Sequence, residues 1–196
     1  MSVKKRTVSC VSEYSLTQQK SKFIALLFPC ADEDTFKFNL NRFKSLHSKA
    51  GHACYAYQIG NPIQTRANDD GEPAGSAGLP ILGQLKSHEL INVGCVVIRY
   101  YGGTKLGVPG LIAAYKTACL GAIQENEIIP YQAFQTLHVV GEYESLMKFL
   151  SIANQQKWNV QYLSSGTDPM LQINIAEESV PLVMEKLSLF SSLTCY

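Results

Sequence analysis

Apolar residues change their spacing several times along the chain, and each change marks an element. Val11 to Pro29 reads as two extended segments separated by the polar stretch Thr17 to Lys22. The second carries the short apolar run Phe23 to Phe28, which suits a buried strand. Phe36, Leu40, Phe43 and Leu46 then recur at helical spacing behind Asp32 or Asp34, either of which can cap the helix. Lys37, Arg42 and Lys44 fall on its other face, and Gly51 is the expected stop. Ala53 to Ile59, with alternating tyrosines, is a strand, and Gly60 to Gly78 reads as the longest irregular stretch. Pro80 opens a helix through Ile81, Leu82 and Leu85. Asn92 to Tyr101 is the clearest strand, filled by Val93, Val96, Val97 and Ile98. After a glycine turn, a helix runs from Pro109 to about Asn126, with Leu111, Ile112, Tyr115, Cys119 and Ile123 on its buried face.

The stretch Glu125 to Tyr131, with Pro130, reads as a boundary between a domain over 1–130 and a second over 131–196. The pattern beyond it is strand Phe134–Tyr143, helix Glu144–Lys157, strand Trp158–Ser164, strand Met170–Ala176 and helix Ser179–Phe190. A turn at Gly166-Thr167-Asp168-Pro169 joins the last two strands, and Ser192 to Tyr196 is a candidate final strand. That order, βαββα(β), is the split βαβ arrangement of ferredoxin-like domains, so the fold class is α+β.

Composition narrows the function classes. A hydrophobic fraction of 46% and a charged fraction of 17% are globular values. No apolar run approaches the roughly 18 residues of a membrane span. Lys4, Lys5 and Arg6 open the chain without an apolar segment behind them, so a soluble cytosolic protein is expected. The cysteines at 10, 30, 54, 95, 119 and 195 stand singly, as packing residues rather than zinc ligands or staples. Up to Pro130 there are 14 basic and 10 acidic residues, and beyond it 3 and 6, too even a balance for a general nucleic-acid coat.

Two segments depart from what a core needs: Asp69 to Pro80 and Arg99 to Leu111. Together they hold half of the chain's 14 glycines. Such density allows positive φ and close backbone approach, and the second segment lies between a strand and a helix, where α/β folds present functional loops. Three readings are open for Asp69, Asp70 and Glu72. They can act as metal ligands or an acid–base set, they can accept from amides of their own loop or meet a partner's basic groups, or they can simply supply turn chemistry. Loop structure or partner contact outweighs catalysis. The second segment matches neither a P-loop nor the dinucleotide fingerprint, and Pro109 removes an amide donor from the helix entrance. Arg99 and Lys105 are available to an acidic partner, while Tyr100 and Tyr101 point to opposite faces. His52 and Cys54 share a strand face, but nothing around Cys54 resembles an oxyanion elbow, so a packed thiol is expected. Ser76 lacks an elbow too, and His47, His88 and His138 have no partners at metal spacing.

Lys20-Ser21-Lys22-Phe23, His52-Ala53-Cys54, DDGEPAGSAGLP (69–80) and VIRYYGGTKLG (97–107) together resemble the signature of the IMPACT/YigZ family. The resemblance implies an N-terminal domain like the second domain of a small-subunit ribosomal protein. It also implies a C-terminal ferredoxin-like domain similar to the last domains of the translocation elongation factor. Eukaryotic relatives are translational regulators, partly through an extra domain that this sequence lacks. The family brings no catalytic residues. This chain has Pro109 and Ala113 where a glycine and a basic residue are usual, and Ser76 in place of the usual threonine. The expectation is therefore a non-enzymatic binding protein of the translation machinery or of a regulator of it, with no metal and no cofactor. Its binding residues are Lys20, Lys22, His52, Asp69, Asp70, Glu72, Pro73, Arg99, Tyr100, Tyr101, Gly102, Gly103, Lys105, Gly107 and Tyr115. The alternatives are an RNA-binding module using Lys20, Lys22, Arg99, Tyr101 and Lys105, and a metal-assisted hydrolase acting at Asp69 to Glu72 with His52.

Overall fold

The structure is a computed structural model, which describes residues 5–165 and 168–196. The chain divides into two compact units that meet at Tyr131 and Gln132. Gly166 and Thr167 of the expected turn lie outside the described residues.

The first unit contains β1 (Arg6–Val8), β2 (Ser12–Gln18), β3 (Ser21–Pro29), α1 (Glu33–Leu46), β4 (His52–Ile59), β5 (Gln64–Asn68), α2 (Gly78–Ser87), β6 (Val93–Tyr100), α3 (Gly107–Gln124) and β7 (Ile128–Pro130). Five strands form one antiparallel sheet in the order β2-β3-β6-β4-β5. Its central strands are buried on both faces, which is why β3 and β6 read as near-continuous apolar runs. Ile24, Leu26, Phe28, Val96 and Ile98 form one core with Phe36 and Phe43 of α1. Phe23, Ala25, Leu27, Cys95 and Val97 point the other way, to α2 and α3. Each such Leu or Phe contributes about 1.5–3 kcal/mol through removal from water.

Several boundaries differ from expectation for local reasons. Asp32 caps α1 by accepting from the Thr35 N–H at 2.7 Å. The helix ends at Leu46, before Gly51, with the His47 N–H closing on the Phe43 carbonyl. Within the stretch expected to be irregular, β5 is held by backbone pairing along the edge of β4. The stretch expected to be a boundary contains β7, which pairs antiparallel with β1. Ile112, expected in the core, is 38% exposed on the outer side of α3.

The second unit contains β8 (Phe134–Gly141), α4 (Tyr143–Gln155), β9 (Asn159–Ser165), β10 (Asp168–Ala176), a short 3₁₀ turn, α5 (Val180–Leu187) and β11 (Leu193–Cys195). Its antiparallel sheet has the order β11-β8-β10-β9. Leu137, Val139, Leu171 and Ile173 pack with Leu146 and Phe149 of α4 and Val183 and Leu187 of α5.

Candidate binding face of the glycine tract

From Asn68 the chain must turn and enter α2, a helix whose own N-cap residue, Ala77, offers no side-chain acceptor. Asp69 supplies one from a distance. Its Oδ1 accepts from the N–H groups of Ala77 at 2.9 Å and Gly78 at 2.8 Å, and its Oδ2 accepts from the Gly75 N–H at 2.8 Å. Two otherwise orphaned donors at the helix start are thereby satisfied. Burial pushes the Asp69 carboxyl up, but the amides of Gly75, Gly78 and Ala77 outweigh it and hold the group below its ordinary value. Gly78 is required because a Cβ there would lie 2.5 Å from the backbone nitrogen of Asn68.

Asp70 follows at a positive φ of 44°, its N–H donating to Asn68 Oδ1 at 2.8 Å. Its Oδ2 accepts from the Ala53 N–H at 2.7 Å, and its Oδ1 pairs with Lys44 Nζ at 3.1 Å. His52 Nδ1 lies 2.8 Å from the Asp70 carbonyl oxygen. A carbonyl only accepts, so Nδ1 carries the hydrogen of that bond. Lys44, His47, His52 and Asp70 line a cavity of about 220 Å³ at the C-terminal end of α1.

Glu72 turns inward. Its Oε1 accepts from Arg99 NH1 at 2.6 Å and from the Tyr115 hydroxyl at 2.8 Å. The two charged side chains are only 6% and 4% exposed. Arg99 NH2 reaches Ser21 Oγ at 3.4 Å, and Arg99 Nε has no acceptor among the described residues. The guanidinium lies 5.4 Å from the ring centres of both Phe23 and Tyr101. Cys54 Sγ donates its one hydrogen to the Asp69 carbonyl at 2.9 Å and lies 3.3 Å from the Tyr115 hydroxyl. Burial pushes the Cys54 thiol up to about 12 and raises the Tyr115 phenol far above its ordinary value. Cys54 is therefore a packed, protonated thiol, the opposite of an activated nucleophile.

The loop from Tyr101 to Leu106 is locked in the same manner. Ser21 Oγ accepts from the Gly102 N–H at 3.1 Å, and a Cβ on Gly102 would lie 2.0 Å from the Lys20 carbonyl carbon. No side chain fits at that approach. Gly103 and Gly107 take φ values of 84° and 69°, which favour glycine. Tyr100 is half-buried, its hydroxyl 2.9 Å from His47 Nδ1, whereas Tyr101 is 54% exposed.

The expected site thus separates into two layers. Glu72, Arg99 and Tyr115, all three among the expected binding residues, are interior groups that hold the loops to α3 and β6. Of the RNA-binding set, Arg99 is buried and paired with Glu72. Of the hydrolase set, both oxygens of Asp69 and both of Asp70 have donors within the fold, and Glu72 is buried in an ion pair. Lys20, Lys22, Pro73, Tyr101, Gly103, Lys105 and Gly107 are exposed. Among the described residues no group of three or more His, Cys, Asp and Glu is placed to hold a metal ion. Sequence reasoning missed Lys44, which read as part of a helix's polar face, and His47, which read as a histidine without partners at metal spacing.

Fold and tract together define a two-unit α+β protein whose acidic loop is an internal brace beneath a displayed surface. Residues 19–123 match the model of the Impact N-terminal domain. The chain is 36% identical over 143 residues to the IMPACT family member YvyE of Bacillus subtilis, spanning 72% of this chain and 66% of that protein, just under two thirds of its length. It is 32% identical to an IMPACT family member of Haemophilus influenzae, over 89% of this chain and 86% of that one. A crystal structure described as that of a hypothetical protein superposes with a TM-score of 0.77 at 26% identity, covering 97% of this chain and 95% of the other, and supports the two-domain arrangement. The chain belongs to the IMPACT family. Among the described residues, no helix is long and apolar enough to cross a membrane.

Proposed function

We propose that this is a non-enzymatic cytosolic protein that docks on the translation apparatus or on a regulator of it, using the face displayed by the glycine tract. The observation that carries the binding half is the fate of the loop acids. Asp69, Asp70 and Glu72 are committed to backbone amides, Lys44, Arg99 and Tyr115. A loop braced in this way holds a shape, and holding a contact surface in its bound shape lowers the ordering cost of binding. Family membership supports the translational half, because the eukaryotic relatives implied by the motifs are translational regulators.

The first unit is read as the Impact-type domain, like the second domain of a small-subunit ribosomal protein. The second is read as ferredoxin-like and elongation-factor-like. Its sheet order of fourth, first, third and second strand supports that name.

Co-sedimentation of the full chain with ribosomes, together with identification of partners captured from lysate, tests the reading. Enrichment of ribosomal proteins or translation factors is expected. Their complete absence, with RNA absent too, overturns it.

A further inference from the structure

We propose that the outer side of α3 is a docking surface for an acidic amphipathic helix of a partner protein. The proposal rests on the binding reading above and gives the partner a chemistry. Tyr101, Val108 and Ile112 are 54%, 45% and 38% exposed. Val108 and Ile112 are one helical turn apart and therefore share a side of α3, with exposed Pro109 and Ala113 beside them. The opposite side of α3 is already filled, since Leu111, Ala114, Tyr115 and Ala118 are in the core. The exposed stripe is thus not needed to bury the helix.

Charge selects the occupant. From Arg99 to Gln124 the chain has no Asp or Glu. Lys105 precedes the stripe and Lys116 follows Ile112 by one turn, both exposed, while the backbone of Lys20 abuts Gly102. None of these lysines belongs to an ion pair among the described residues. Glu72, the acid that reaches this segment, is turned inward onto Arg99 and Tyr115. An aliphatic stripe at i, i+4 spacing, bordered by unpaired lysines, complements a helix carrying Leu or Ile on one side and Asp or Glu at its margins. From Val108 to Lys116 the stripe is about 12 Å long, matching roughly two turns of a partner helix. RNA fits this surface less well, because among the described residues Tyr101 is the only aromatic plane it offers, and the guanidinium beneath that ring is paired with Glu72.

Two fluorescein-labelled helical peptides with leucines at i, i+4 spacing test it, one with glutamates at the flanking positions and one with lysines. They are titrated against the full chain by anisotropy, and ¹⁵N-resolved NMR maps the site. Saturable binding of the glutamate peptide is expected, with shifts confined to Tyr101 through Lys116. Ile112→Ser weakens it about tenfold, and Lys105→Glu/Lys116→Glu transfers preference to the lysine peptide. The proposal is overturned by no saturable binding, by binding that ignores these substitutions, or by displacement from this face by an oligouridylate or by phosphatidylserine vesicles at lower concentration. If the chain co-sediments with ribosomes while the glutamate peptide does not bind, the docking chemistry falls and the proposed function stands. If both fail, both fall.

Discussion

The interior pair of Glu72 and Arg99 makes a demanding test of the brace. Glu72→Ala removes the carboxylate that lies 2.6 Å from Arg99 NH1 and accepts from Tyr115. The guanidinium, 6% exposed, is then left with Ser21 Oγ at 3.4 Å. An uncompensated buried charge of this kind costs about 3–5 kcal/mol. Arg99→Met alone should cost a similar amount by stranding the carboxylate. Replacing both partners, as Glu72→Leu with Arg99→Met, removes the desolvation penalty together with the attraction. It should therefore cost less than either single change, losing mainly the contact of the guanidinium with the Phe23 and Tyr101 rings, about 0.5–2 kcal/mol. Urea unfolding is the assay, followed by hydrogen exchange of first-unit amides, because the chain's one tryptophan, Trp158, lies in the second unit. With a slope of about 2 kcal/mol per molar urea, a loss of about 4 kcal/mol lowers the midpoint by about 2 M. A Glu72→Ala midpoint within about 0.5 M of wild type, or a double variant as weak as the two singles combined, refutes the reasoning.

Asp69→Asn keeps an acceptor for Ala77 and Gly78 but turns a donor toward the Gly75 N–H, so a loss of about 1–3 kcal/mol is expected in the same urea experiment. Because the Asp69 carboxyl is held below its ordinary value, its stabilising contribution is complete above the unfolded-state value near about 3.9 and is lost as pH falls through the lower folded-state value. The Asp69→Asn variant should accordingly show less loss of stability below about pH 4 than wild type, read by thermal unfolding against pH. Gly102→Ala places a methyl 2.0 Å from the Lys20 carbonyl carbon, so expression as an insoluble or exchange-unprotected first unit is expected, and a wild-type melting profile would refute the close approach. Iodoacetamide at pH 8 should modify exposed Cys10 and leave Cys54, raised to about 12, unmodified until the protein unfolds, as read by peptide mass.

Elements buried on both faces were the legible ones. β3 and β6 announce themselves as apolar runs, and α1 announces its start through Asp32 and its face through Phe36 and Phe43. β5 was not legible because Gln64 to Asn68 is a polar edge strand, made by backbone pairing with β4 rather than by side-chain pattern. Periodicity assigned Ile112 to the core because it records which positions are apolar, and says nothing about which side a neighbouring element covers. The tract itself was legible as shape: half the glycines and an acid cluster mark a loop with unusual backbone demands. The inward turn of the acids was not, since Glu72 meets Arg99 and Asp70 meets Lys44 only through long-range folding. Arg99 and Tyr115 accordingly lie inside, tied to Glu72, while Tyr101 and the lysines at 20, 22 and 105 are exposed.

The small ribbon of β1 and β7 has a mechanical consequence. Thr7 lies opposite Ile129, and the Tyr131 N–H donates to the Lys5 carbonyl, so the chain enters and leaves the first unit at the same spot. A pull exerted between those two points would open the ribbon like a zipper, one hydrogen bond at a time, before the five-stranded sheet carried any load. The ribbon thus takes such a pull first, together with the bonds of Arg6 to His88, Glu89 and Ile91. The same adjacency means that a short linker could join residues 5 and 131, and new ends could be opened in a surface loop such as the one between β4 and β5, without rerouting the core.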